Sequence, residues 1–342
     1  MKKRQPDFEQ FLKILRRQSK PDHLPFYEHL ASQAFINRRM GLPPDHKPAS
    51  PREYWKTYVD FWIGLGFDCV PIEIPPNLFL PAAEHGQGGH ASESRVVIRN
   101  REDFQRYPWP AEDNLLPFEG FEIAASFLPP GAKLVAGVCM GPFEWVSNML
   151  GVMGLSYLLM DDPELVTMVL DRIRQIHTAA LRRIAALDFV GALRQGDDLG
   201  FRTATFLSPD DLRKYVFPTY REMVGIAHAA GKPFILHSCG QLGAVYEDLI
   251  ACGIDAKHSF EEAILPVEQF KTQYGQRITP LGGLDVDMIC RASPDDLRAY
   301  ARRKIEACFA DGYWAMGTGN SLTDYMPVEN YLIILEEAAR LA

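Results

Sequence analysis

The chain has no long hydrophobic run and no surplus of positive charge. No window approaches the roughly 18 uninterrupted apolar residues that a transmembrane helix needs, and the initial MKKR is followed by Gln5-Pro6-Asp7 rather than by the apolar core of a secretory signal. The 36 Lys and Arg residues against 44 Asp and Glu give a net charge of −8. Because nucleic acids and anionic lipids attract basic surfaces, we expect neither as a partner.

Cysteine is scarce as well, with six residues spread over most of the 342-residue chain. This spacing is not typical of a disulfide framework, so we expect a reducing cytoplasm as the compartment. Apolar residues make up 47% of the chain and charged residues 23%, which is ordinary globular composition. The length allows two domains, or one large barrel built from repeating strand and helix units.

From about residue 160 the sequence alternates between helical patterns and short apolar strands. Three predicted helices begin in the same way, with an N-cap residue followed by proline: Asp162-Pro163, Ser208-Pro209 and Ser293-Pro294. The side-chain oxygen accepts a hydrogen bond from a free N–H group, and proline occupies a position whose own N–H would have no partner. This alternation is typical of βα units.

Seven runs predict buried strands, and most are apolar throughout rather than alternating. They begin at Cys69, Leu134, Phe189, Pro233, Ile254, Ile278 and Tyr313. Strands of this composition indicate a parallel sheet covered by helices. We therefore predict an α/β fold, a (β/α)8 TIM barrel with one weak strand. A doubly wound sheet is second, because no Gly-x-Gly-x-x-Gly follows the first strand.

The predicted barrel spans residues 66–342, and residues 1–65 form an N-terminal helical segment packed on it. The stretch Glu84–Asn100 interrupts the pattern after the first strand and is expected to be a loop or hairpin.

In such a barrel the active site lies at the carboxyl ends of the strands. Nearly every predicted strand ends here in groups that bind metals, protons or hydroxyls: Glu73, Glu144, Asp197, Asp198, His237, Cys239, His258, Asp285 and Asn320. Strand ends also collect polar residues simply because they face solvent. These residues are therefore candidates, and for each of them the alternative is a polar side chain that only faces solvent.

His237 and Cys239 form the sharpest pair. Alternate residues of a strand point to the same side, so both side chains reach one centre. Imidazole and thiolate are preferred zinc ligands, and a catalytic zinc needs three protein ligands and an open position. From spacing alone the alternative stays open that a buried histidine lies beside a small apolar cysteine.

Two further features are candidates for acid–base or positioning roles. Asp197 and Asp198 are adjacent in a strand-like backbone, so their side chains point to opposite sides and only one is expected to line the pocket. His258 is a candidate general acid or a group that orients a ligand, although it also suits the cap of a helix beginning at Ser259.

The motifs together resemble the uroporphyrinogen decarboxylase superfamily. The resemblance rests on GPFE, GDDLGFRTATFLSPDDLRKYVFPTY, FILHSCG, GIDAKHSFEEAI, LGGLDVD and GTGNSLTDYMPVENY, which together span about residues 130–340. It implies a (β/α)8 barrel. The superfamily contains metal-free porphyrinogen decarboxylases and zinc-dependent methyltransferases that work with corrinoid proteins.

Two departures from the family patterns guide the choice between these branches. The decarboxylases carry an N-terminal RQAGRY-type motif whose arginines bind porphyrin carboxylates, whereas this chain offers only Arg38-Arg39. The methyltransferases match His237 and Cys239 but usually add a cysteine in the last βα loop, where this chain has Gly317-Thr318-Gly319-Asn320-Ser321. A third ligand would therefore come from Glu144, Asp198 or another oxygen.

The resemblance implies methyl transfer between a small methylated substrate and a corrinoid protein or thiol. His237 and Cys239 would bind zinc as the cofactor, with the corrinoid carried by a partner protein. Asp197, Asp198, His258 and Glu144 are the candidate catalytic residues, and Glu73, Trp145, Asp285 and Asn320 the candidate substrate-binding residues. Uroporphyrinogen decarboxylation and a barrel that only binds a small molecule are the alternatives, and the oligomeric state is not predicted.

Overall fold

The structure is a computed structural model that describes residues 4–81 and 95–341. Within these ranges, consecutive parallel strands form one sheet in the order in which they occur along the chain. They are β1 (Cys69–Ile74), β2 (Lys133–Val138), β3 (Val190–Gly196), β4 (Phe234–His237), β5 (Ala256–His258) and β6 (Thr279–Pro280). Each coincides with a predicted strand. Most of the predicted loop Glu84–Asn100 lies outside the described residues.

The seventh predicted strand, from Tyr313, is present only as isolated parallel bridges. Ala315 pairs with Leu281 beyond β6, and Met316 pairs on its other side with Phe26. The N–H of Tyr27 donates to the carbonyl of Met316 at 2.9 Å. The backbone of Gly317 also approaches this segment so closely that a Cβ there would lie 1.8 Å from the carbonyl oxygen of Tyr27. The last position of the barrel is thus taken by N-terminal residues.

A separate apolar cluster inside the barrel shows that these segments surround one axis. It contains one residue from each of the eight parallel segments: Cys69, Val135, Ala192, Ile235, Ala256, Leu281, Ala315 and Tyr27. Phe8, Phe11, Ile14 and Leu15 of α1 pack against this ring. Filling the interior with side chains is the usual core of an eight-stranded barrel. The protein is therefore an α/β barrel whose amino-terminal end is covered by α1.

Helices surround the sheet and connect its strands. The N-terminal part contains α1 (Phe8–Leu15), α2 (Gln33–Arg39) and α3 (Pro51–Gly64). The treatment of residues 1–65 as a separate unit stays a prediction. The remaining described α-helices are α4 (Arg101–Arg106), α5 (Glu119–Ala125), α6 (Pro142–Leu150), α7 (Val152–Asp161), α8 (Pro163–Ala185), α9 (Pro209–Asp211), α10 (Phe217–Ala229), α11 (Tyr246–Ala251), α12 (Val267–Tyr274), α13 (Val286–Arg291), α14 (Pro294–Cys308) and α15 (Val328–Leu341).

The predicted N-caps of three helices are confirmed. The side chains of Asp162, Ser208 and Ser293 accept hydrogen bonds from the backbone N–H groups three residues later, and proline follows each of them. All six cysteines are free thiols. Among the described helices, none combines the length and the apolar character required to cross a bilayer.

Glu28 connects the N-terminal segment to the end of the barrel. Its carboxyl is fully buried and accepts hydrogen bonds from the Thr318 N–H at 2.6 Å and the Tyr331 hydroxyl at 2.9 Å, while its second oxygen lies 2.6 Å from Thr318 Oγ1. Burial raises the pKa of Glu28 from its ordinary 4.5 to about 8. The folded protein therefore favours the protonated carboxyl, which can donate to Thr318 Oγ1.

This shift predicts a specific pH dependence of stability. Because the folded state holds a proton that the unfolded chain releases near pH 4.5, the contribution of Glu28 is fully present below that pH and is lost as the pH rises towards 8. Glu28→Gln mimics the protonated form. We expect its free energy of unfolding, relative to wild type, to increase by about 1–3 kcal/mol between pH 5 and pH 8 in urea denaturation. Exposed Glu329→Gln is the control, and parallel pH profiles for Glu28→Gln and wild type would contradict the assignment.

Candidate functional site

Polar side chains from several strand ends face a cavity of about 230 Å³ at the carboxyl end of the barrel. The lining residues are His29, Leu30, Glu73, Cys139, Met140, Glu144, Gly196, Asp198, His237, Asn320 and Ser321. Of the ten candidates from the sequence, this cavity brings together Glu73, Glu144, Asp198, His237 and Asn320 on its wall. Their chemical roles stay predictions.

His237 ends β4, and Cys239 follows two residues later on the same side. The chain then turns at Gly240, whose φ of 87° is in the left-handed region. A Cβ at Gly240 would lie 2.2 Å from the carbonyl carbon of Gly200, so only glycine allows the loops after β3 and β4 to approach this closely. This close approach brings Asp198, which follows the end of β3, next to Cys239.

Asp198, His237 and Cys239 form a group whose ligand atoms lie within 4.8 Å of one another. The Nε2 atom of His237 is 3.4 Å from the Cys239 Sγ and 3.6 Å from the Asp198 Oδ1. The backbone N–H of Cys239 donates to the same Oδ1 at 2.8 Å and holds the carboxylate in place. Two ligands of a tetrahedral zinc are about 3.3–3.6 Å apart, so the donor set and its spacing fit zinc.

A series of hydrogen bonds determines which nitrogen of His237 carries the proton and which carries the lone pair. The Nε2 of His258 lies 3.0 Å from the carbonyl oxygen of Thr318, which only accepts, so this nitrogen carries the proton. Burial lowers the pKa of His258, so its ring is neutral and its Nδ1 accepts. The Nδ1 of His237 is 2.7 Å away and must donate. The lone pair of His237 is therefore on Nε2, facing Cys239 and Asp198.

Two further polar groups contact the Cys239 sulfur. The amide nitrogen of Asn320 donates to it at 3.4 Å, and the Ser259 hydroxyl lies 3.5 Å away. Burial raises the pKa of the Cys239 thiol, with the Asp198 charge adding to the rise. A thiolate at this position consequently needs a nearby cation. His258 itself is the last residue of β5, and no helix begins at Ser259, so the helix-cap alternative does not hold.

The structure places the two adjacent aspartates differently. Asp198 lines the cavity, whereas Asp197 points to the start of α6 and accepts hydrogen bonds from the N–H groups of Phe143 and Glu144 at 3.1 and 2.8 Å. The Tyr220 hydroxyl donates to Asp197 at 2.7 Å. Burial raises the pKa of Asp197, and the Glu144 charge adds to this effect. Asp197 thus anchors the helix that carries Glu144.

The other candidates occupy two kinds of position. Glu144 lies on the cavity wall in the first turn of α6, where its carboxylate accepts from the Gly141 N–H at 3.3 Å. Trp145 and Asp285 are not among the residues that line this cavity. Trp145 is buried and its indole N–H donates to the Cys139 carbonyl at 3.2 Å. Asp285 caps α13 and borders a neighbouring hollow that shares Asn320.

Sequence reasoning did not identify Arg194 beneath the cavity or His29 on its wall. Arg194 of β3 is 1% exposed, and its Nε donates to Glu73 Oε1 at 2.9 Å and its Nη1 to the His29 carbonyl at 2.8 Å. The rings of His29 and His237 stack with centroids 3.6 Å apart. Burial raises the pKa of Glu73, and Arg194 opposes the rise. Arg194 lies within the strand that the sequence predicts from Phe189, whereas nothing in the sequence pattern connects His29 to this site.

Lys257 of β5 is a second buried cation that the sequence analysis missed. Its Nζ donates to the carbonyl oxygens of Ser259 at 2.5 Å and Ser238 at 3.3 Å, and lies over the Phe260 ring. Burial lowers the pKa of Lys257 to about 8. These contacts stabilise the backbone after His237 and His258, so Lys257 supports the strand ends that carry the metal-binding candidates.

Fold and site together define an α/β barrel with a possible metal-binding group at the carboxyl ends of its strands. Residues 86–341 match the family model for uroporphyrinogen decarboxylase (URO-D). Because this match covers more than half of the chain, the protein belongs to the URO-D family. The resemblance noted in the sequence is thereby confirmed.

Comparison with solved structures supports the same fold. A methyltransferase from Methanosarcina mazei aligns with a TM-score of 0.70 and 17% identity, over 97% of this chain and 97% of the other. An intracellular xylanase from Thermoanaerobacterium saccharolyticum aligns with a TM-score of 0.43 and 10% identity, over 95% and 91% of the two chains, and carries no weight at that score. No curated protein matches this chain.

The different positions of the two aspartates predict different effects of the same substitution. In Asp197→Asn, an amide N–H₂ would face the Phe143 N–H, so we expect the free energy of unfolding to fall by about 1–3 kcal/mol. Asp198→Asn should leave stability nearly unchanged but weaken metal binding at least tenfold. Urea denaturation and metal titration of both variants test this, and indistinguishable behaviour in the two assays would refute it.

Proposed function

We propose that this protein is a zinc-assisted methyltransferase that moves a methyl group between a small methylated substrate and a corrinoid protein or a thiol. The observation that supports this best is the Asp198, His237 and Cys239 group on and beside the cavity wall. One residue of each ligand type is present, and an open cavity leaves room for substrate. Asp198 would be the third ligand, because the last βα loop offers no cysteine.

Asp198, His237 and Cys239 would hold the zinc ion. A bound zinc ion supplies Lewis acidity, which lowers the pKa of a thiol or polarises a heteroatom that carries a methyl group. The chain contributes the orientation of the ligands. His258 fixes the proton on His237 Nδ1, and the Cys239 N–H fixes the Asp198 carboxylate. Such second contacts hold metal ligands in their binding geometry.

The rest of the cavity would bind and orient the substrate. Glu73 and Glu144 provide acceptors on the wall, and Asn320 connects the last loop to Cys239. The volume of about 230 Å³ suits a small molecule. Under this proposal a corrinoid protein docks at the open mouth, and the cytoplasm is the expected compartment.

Uroporphyrinogen decarboxylation is the alternative enzyme activity. Uroporphyrinogen carries eight carboxylates, which require cationic partners when they are buried. Among the described residues, no Lys or Arg belongs to the lining of this cavity, which instead includes Glu73, Glu144 and Asp198. Arg194 beneath it is already paired with Glu73. The charges therefore favour the methyltransferase proposal.

Metal analysis tests the proposed site directly. We expect about one zinc per chain in protein purified without chelator, and loss of most of that zinc in Cys239→Ala, because two remaining ligands hold zinc weakly. Cys139→Ala is the matched control, since Cys139 lines the same cavity but lies outside the ligand group. Absence of zinc from wild type, or equal zinc in wild type and Cys239→Ala, would refute the site.

A substrate test separates the two enzyme activities. After incubation with the protein, chromatography should show unchanged uroporphyrinogen, since the part of the chain that the structure describes places no Lys or Arg on the cavity wall to pair with its carboxylates. Efficient conversion to coproporphyrinogen would overturn the methyltransferase proposal. Retention of bound zinc without any methyl transfer would favour a barrel that only binds a small molecule.

A further inference from the structure

We infer that His29 and Glu73 form a subsite that selects an uncharged hydroxyl group on the substrate and disfavours anionic groups. This inference deepens the proposed function by naming a substrate class, and it rests on that function only for the location of the site. It depends on the direction of hydrogen bonds around Arg194 and on the charges along the cavity wall.

Arg194 determines which nitrogen of His29 is the donor. Its Nη2 contacts His29 Nδ1 closely and lies farther, 3.4 Å, from His29 Nε2. A guanidinium N–H only donates, so His29 Nδ1 is the acceptor and His29 Nε2 carries the proton. The other hydrogen-bonding contacts of Arg194 go to Glu73 Oε1 and the His29 carbonyl, which keeps the imidazole in this orientation.

Glu73 offers an acceptor opposite this donor. Its Oε2 lies 4.0 Å from His29 Nε2, which is too far for a direct hydrogen bond. One oxygen atom placed between them can lie about 2.8 Å from both. Both side chains are more than nine-tenths buried and both line the cavity. A ligand atom between them must accept from His29 and donate to Glu73.

A hydroxyl group meets both requirements. A carboxylate or sulfonate accepts but cannot donate, and an ammonium group donates but cannot accept. An anion would also face Glu73, Glu144 and Asp198, and within residues 4–81 and 95–341 no Lys or Arg lines the cavity. The guanidinium of Arg194 cannot compensate, because it is buried against Glu73 and His29. The charges and the hydrogen-bond directions therefore both favour a hydroxyl group over an anionic group.

This subsite lies next to the proposed metal ligands. His29 stacks on His237 at a centroid distance of 3.6 Å. A side chain at Gly196 would crowd the His29 ring, because a Cβ there would lie 3.1 Å from His29 Cε1. A short molecule can thus place one end near His237 and its hydroxyl near His29 and Glu73. We therefore expect the substrate to carry a metal-binding group at one end and a hydroxyl group at the other.

The test uses three-carbon thiols that differ only at the far end: 3-mercaptopropan-1-ol, 3-aminopropane-1-thiol and 3-mercaptopropionate. In cobalt-loaded protein, a coordinated thiol would add to the sulfur-to-cobalt charge-transfer absorption that Cys239 already gives, and this increase reports binding. We expect the alcohol to bind about tenfold more tightly than the carboxylate, with the amine between them. Equal or tighter binding of the carboxylate in wild type would overturn the subsite.

Two additional measurements keep the subsite and the metal proposal distinguishable. Ligand-observed NMR with the same thiols and metal-free protein ranks the affinities of the alcohol, the amine and the carboxylate in the absence of thiol coordination to a metal. If no thiol changes the cobalt spectrum, these thiols do not coordinate the metal, and the NMR order alone decides the subsite. His29→Phe keeps an aromatic ring against His237 but removes the N–H donor. It should lower the preference for the alcohol over the carboxylate to about twofold or less, and an unchanged preference in folded His29→Phe would contradict the role of His29.

Discussion

The buried ion pair between Arg194 and Glu73 holds together the part of the barrel on which the site is built. It joins β3 to β1, and the same guanidinium binds the carbonyl of His29 in the N-terminal segment. A buried charge without partners is strongly unfavourable, so these three segments must keep their positions. His29 then stacks on His237, and the cavity wall follows from that contact.

A second consequence of burial is that protons occupy defined positions. The Thr318 carbonyl fixes His258, which fixes His237, and Arg194 fixes His29. Each series of hydrogen bonds begins at a group with a fixed role, because a carbonyl oxygen only accepts and a guanidinium only donates. One result is a lone pair on His237 next to Asp198 and Cys239, and another is a donor on His29. The proposed metal binding and the proposed substrate selection would thus depend on different, neighbouring side chains.

The location of the strands and of the His237–Cys239 pair could be predicted because both depend on local patterns. Runs of apolar residues give buried parallel strands, alternate residues share a face, and the carboxyl ends of parallel strands meet at one edge. The same rule of alternation indicated that Asp197 and Asp198 would point in different directions. Only the position of α6 shows that Asp197 contacts its first turn.

The sequence by itself therefore determined the class of fold, most strand positions and which residue types gather at the mouth of the barrel. The tertiary structure alone decided that residues near Tyr27 complete the barrel, that His29 enters the site and that the Asp198 carboxylate, rather than that of Glu144, lies beside His237 and Cys239. These contacts join residues far apart in the chain, such as His29 and Arg194, so no periodicity records them. They arise because polar groups inside the barrel must find partners wherever the closed sheet brings them together.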